Sequence, residues 1–102
     1  MPNGHDKNWH RLCAAVDGFR LRYGRWPTRY RAPSLIMNDL RILFTERDFL
    51  TLTSKIKLLV DDGRLVAEDD DGGMYSYCDE GFPDHHPQPN AEDWFGVRPK
   101  SD

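Results

Sequence analysis

Between Arg64 and Cys78 the chain reads RLVAEDDDGGMYSYC, two segments of alternating character separated by Asp70, Asp71, Gly72 and Gly73. Glycine can take the positive φ that a tight turn between antiparallel strands demands, so the pattern predicts a β-hairpin with strands near residues 64–69 and 74–78. An isolated hairpin is at best marginally stable in water. Something upstream must therefore cover one of its faces.

The upstream sequence offers helices. From His5 to Tyr23 the apolar residues Trp9, Leu12, Cys13, Val16, Phe19 and Tyr23 recur at intervals of three and four, which keeps them on one face of a helix that Gly24 can end. Lys7, Arg11 and Arg22 then form a basic stripe on the opposite face. Arg20 falls inside the apolar arc, so either the helix has frayed by that point or the guanidinium reaches out to a carboxylate. Pro27 turns the chain, and RYRA (29–32) predicts a short strand ending at Pro33. Ser34 is a candidate cap for a second helix carrying Leu35, Ile36, Leu40, Leu43 and Phe44 on one face. Thr45, with Asp48 three residues later, predicts the start of a third that Phe49, Leu52 and Ile56 continue. The run KIKLLV fits both helical and strand periods. A helix giving way to strand near Leu58 is the expectation.

Three helices and a hairpin follow the order of a winged-helix domain, and SKIKLLVDDGRLVAEDDDGGMYSY resembles the end of one. The resemblance implies a third helix in the major groove and a wing against the phosphate backbone, both needing positive charge. Lys55 and Lys57 suit the helix, but the wing carries Glu68, Asp69, Asp70 and Asp71, so a protein-binding winged helix is what it implies here. The other arrangement is an α+β fold in which N-terminal helices precede the C-terminal hairpin. Strands near 29–32, 57–60, 64–69 and 74–78 then make a small antiparallel sheet covered by helices on one face, and this form is preferred.

With 102 residues, 38% of them apolar, one compact domain is expected over residues 1–80. The prolines of residues 81–102 predict an arm without long regular structure, docked through Trp94 and Phe95. No apolar run approaches the roughly 18 residues of a membrane span, and the N-terminus lacks a basic-then-apolar leader. Cys13 and Cys78 are too few for a disulfide scaffold. A cytoplasmic location and no membrane partner are expected.

Charge is unevenly placed. Residues 1–44 carry a net +5 and residues 45–102 a net −8. The stretch FRLRYGRWPTRYR (19–31) puts five arginines and four aromatics into thirteen positions, a composition able to neutralise phosphates and stack bases, or to meet an acidic protein. Its candidate partner-binding residues are Arg20, Arg22, Arg25, Trp26, Arg29, Tyr30 and Arg31. On a strand, Arg29 and Arg31 point one way and Tyr30 the other. Glu68, Asp69, Asp70 and Asp71 form the candidate acidic face.

Chemistry finds little support. His10 and Cys13 lie at i and i+3, a spacing that can activate a thiol, but no third group orients them. EDDDGG lacks the spacing of an EF-hand, and His5, His10, His85 and His86 have no zinc-site spacing. There is no P-loop, GxGxxG or GxSxG. The sequence thus predicts no catalytic residue, metal or cofactor. The expected function is a small non-catalytic binding protein that uses its charge-separated surface for another protein or for self-association; the alternative is a nucleic-acid-binding accessory or regulatory protein using residues 19–31.

Overall fold

The computed structural model describes residues 4–63, 65–76 and 91–99, with side chains from Asn8 onward. The chain forms helix α1 (Gly4–Tyr23), strand β1 (Arg29–Ala32), helices α2 (Ser34–Leu43) and α3 (Glu46–Lys55), strands β2 (Lys57–Val60), β3 (Val66–Glu68) and β4 (Met74–Ser76), and a short helix α4 (Ala91–Phe95). The fold is α+β, with helices packed on a four-stranded sheet of order β2-β1-β3-β4.

Local chemistry explains most boundaries. Gly24, at φ 75°, ends α1 by donating its N–H to Arg20 O at 2.8 Å. Thr45 caps α3, its hydroxyl accepting from Asp48 N at 3.1 Å. Ser34 departs from the expected role. It is the first residue of α2, and the preceding cap position belongs to Pro33, which has no side-chain donor or acceptor and uses its carbonyl to receive Ile36 N and Met37 N.

KIKLLV resolves in favour of the strand. The backbone is already extended at Ile56 (φ −142°, ψ 137°), and Lys57 N donates to Thr28 O at 2.9 Å. The helix that would enter a DNA groove in the winged-helix arrangement thus stops at Lys55, and Lys57 stands on a sheet edge. β2 runs parallel to β1, so the sheet is mixed rather than wholly antiparallel. Parallel neighbours need a long crossover, and α2 with α3 supply it. β1 pairs antiparallel with β3, and β3 with β4.

One sheet face carries Tyr30, Ala32, Ala67 and Tyr75 into a core with Trp9, Leu12, Val16 and Phe19 of α1, Leu40 and Leu43 of α2, and Leu52 of α3. Two glycines permit the close approach of α1 to the hairpin. A Cβ on Gly18 would lie 2.3 Å from the Tyr75 ring, and one on Gly73 would lie 2.7 Å from the Phe19 ring. The end of α1 is also tied to β4, because the Tyr23 hydroxyl bonds both the carbonyl and the N–H of Met74.

Residues 91–97 pack on the same core. Ala91, Phe95 and Val97 are buried, Ala91 N donates to Asp17 Oδ1 at 2.8 Å, and Trp9 Nε1 donates to Glu92 Oε2 at 2.9 Å. Cys78, His85, His86 and residues 81–90 of the expected arm lie outside the described residues.

Candidate functional site

The alternation of β1 sends Tyr30 inward and Arg29 and Arg31 outward, onto the sheet face away from the core. Arg29 stands directly opposite Glu68 in the β1–β3 register. The Glu68 carboxylate receives Arg29 Nε on one oxygen and Arg31 Nε on the other, each at 3.0 Å. Arg29 has further bonds to Asp70 and to the carbonyl of Asp69, the latter at 3.0 Å. Arg25 pairs with Asp69, and Arg31 lies 4.0 Å from Asp61. The basic stretch and the acidic hairpin therefore meet within one molecule.

Their surroundings change what these carboxylates are. Glu68 and Asp69 are buried, which corrects the expectation of an exposed acidic face at those positions; Asp70 and Asp71 remain exposed. Asp69 organises the turn, its Oδ1 receiving Asp71 N at 3.1 Å and Gly73 N at 2.8 Å. Glu68 feels an upward push from burial, but hydrogen bonds and charge from Arg29 and Arg31 together hold its pKa below the ordinary value. Hydrogen bonding from Arg25 is the main cause of the lowered Asp69 value, helped by the turn amides. The same bonds raise Arg25 and Arg29.

The aromatic candidates are engaged as well. Tyr30 is completely buried, so it presents no ring to a partner, because strand alternation places it in the core. Trp26 stacks on Trp94, with ring centroids 4.5 Å apart and planes 3° from parallel. Arg20 stands over the Trp26 ring at 5.3 Å and donates to Gly24 O, satisfying a carbonyl at the end of α1 rather than a carboxylate. Arg22 lies over Tyr75 at 4.9 Å, and Arg11 donates to Asn8 at 2.8 Å. Of the seven sequence candidates, Arg25, Arg29 and Arg31 gather at the hairpin carboxylates, Arg22 meets the hairpin at Tyr75, Arg20 and Trp26 form a separate group with Trp94, and Tyr30 lies in the core.

The Cys13 thiol pKa is raised well above its usual value, first by burial and then by the negative charges of Asp17 and Glu92. That opposes thiolate formation, the property a nucleophile needs. Among the described residues no three His, Cys, Asp or Glu side chains gather as a metal site requires, and no helix is long and apolar enough to cross a membrane.

Large apolar side chains missed as site candidates lie on the surface. Leu35 and Ile42, seven residues apart and so on one side of α2, are 72% and 57% exposed, and Leu50 of α3 is also exposed. Leu35 was disguised by its place in the apolar run assigned to the core face of the second helix, whereas Ile42 and Leu50 lie outside those runs. Compared with known proteins, the chain matches no family model, no curated protein and no solved structure.

Proposed function

We propose that the protein is a small, non-catalytic, cytoplasmic protein-binding module whose partner contact is apolar and centred on the outer side of α2. The observation that carries this reading is the exposure of Leu35 and Ile42 while the most prominent arginines are engaged with the hairpin. Large apolar groups left in water on one helix side favour association. A nucleic acid at residues 19–31 would have to displace carboxylates from Arg25, Arg29 and Arg31, and it would find no Tyr30 ring. The sparse cysteine content suits a reducing compartment.

The test compares proteins captured from cell extract by the wild type, by Leu35→Ser/Ile42→Ser and by Arg29→Ala/Arg31→Ala, with folding of each checked by circular dichroism. Loss of a partner only in the α2 variant is the expected result. Loss only in the arginine variant would move the site to the sheet face. If instead oligonucleotides shift the NMR signals of residues 19–31 at physiological salt, the protein is a nucleic-acid binder and the proposal fails.

A further inference from the structure

β2 is the terminal strand of the sheet, and among the described residues nothing pairs with its outer edge. The bonds of Lys57 N to Thr28 O and of Asp61 N to Ala32 O fix which backbone groups face β1. In a parallel ladder these are the groups of the odd-numbered residues here, so the N–H and C=O of Leu58 and Val60 point outward. An open edge of this kind is a template for another strand. Its Val60 side chain is 61% exposed.

We infer that this edge pairs antiparallel with β2 of a second copy of the chain. The argument lies in the sequence KLLVD (57–61), which is complementary to itself when reversed. A twofold axis through Leu59 sets Leu58 against Val60 of the second copy and Lys57 against its Asp61. The Leu58–Val60 pairs are then the hydrogen-bonded ones, as their outward backbone groups require. The Lys57–Asp61 pairs fall at non-hydrogen-bonded positions, where side chains come closest. Both charged residues lie on the outer sheet face. There Lys57 sits beside Arg29 in the β1–β2 register, and because Arg29 already holds Glu68 and Asp70, a carboxylate arriving from the second copy would pair with Lys57. Asp61 has room to take part: its side chain is 44% exposed, its contact with Arg31 is long at 4.0 Å, and one oxygen receives Gly63 N at 2.8 Å. Registers shifted by two residues keep outward groups facing one another but lose the charge pairing.

The test is sedimentation of the full chain over a wide concentration range, using Lys57→Asp and Asp61→Lys separately and then mixed. The wild type is expected to form a dimer as concentration rises. Each single variant places like charges opposite one another twice and is expected to remain monomeric. An equimolar mixture restores both opposite-charge pairs, so a heterodimer should reappear at concentrations where neither variant dimerises alone. Val60→Pro removes an outward N–H without touching the β1 ladder and should abolish the dimer while thermal unfolding shows the fold retained. A wild type that stays monomeric throughout would overturn the inference, as would a dimer indifferent to Val60→Pro. Monomeric single variants that fail to associate when mixed would overturn the assigned register.

Discussion

The outer face of the sheet and the junction between α1 and α4 are held by opposite means, although residues 19–31 contribute to both. On the sheet face the cohesive groups are ions: Arg25, Arg29 and Arg31 meet Glu68, Asp69 and Asp70 across paired strands. At the junction they are large rings and two directed hydrogen bonds: Phe95 against Trp9, Trp94 against Trp26, Trp9 to Glu92, and Ala91 to Asp17. Partly exposed ion pairs contribute little to net stability, whereas full burial of an aromatic side chain contributes several kcal/mol. The charges do something the rings do not. A one-residue slip of β3 against β1 would turn Glu68 to the wrong face, so the lattice specifies register while the junction supplies stability.

That division is open to direct attack, beginning where the effect is largest. Phe95→Ala empties a fully buried site at the junction and should lower unfolding free energy by about 3–5 kcal/mol, read as a shift in urea midpoint. A loss no greater than that of an exposed control substitution would show that α4 is not a main support.

The second attack is on the sheet face and uses pH. Because the folded pKa values of Glu68 and Asp69 are depressed, their contribution is complete above the ordinary carboxylate range and disappears as pH falls through the lowered folded values. The melting temperature should therefore drop on acidification below about pH 4. Glu68→Gln should melt lower than wild type at neutral pH, by less than Phe95→Ala, and show a shallower acid slope. An unchanged slope would take Glu68 out of the account.

The smallest expected effect concerns the ring pair. A double-mutant cycle on Trp26→Ala and Trp94→Ala should give a coupling of about 0.5–1.5 kcal/mol, and additive effects would reduce the stack to mere adjacency.

Much of the architecture was legible because its causes are local. Thr45 and Asp48 sit at capping spacing, Pro27 and Pro33 bracket β1, and Gly72 with φ 91° marks the hairpin turn. Alternation also told Arg29 and Arg31 apart from Tyr30. What stayed hidden depends on residues distant in sequence. Nothing in RYRA or KLLV states that they run parallel, since that follows from how α2 and α3 pack. Glu68 and Asp69 read as exposed because carboxylates usually are, and only the arrival of arginines 37 to 44 positions away makes their burial tolerable. Leu35 carries the apolar pattern of a core helix, yet no element covers it among the described residues.

The bond from Trp9 to Glu92 spans 83 positions. At a translation rate of roughly 5–20 residues per second, about 4–17 s separate the synthesis of its two ends. Throughout that interval Trp9 is without Phe95 and Asp17 is without the N–H of Ala91. A nascent chain halted before residue 91 thus lacks Phe95 for Trp9 and the Ala91 N–H for Asp17, and the time at which the fold closes is set by the ribosome rather than by the helix.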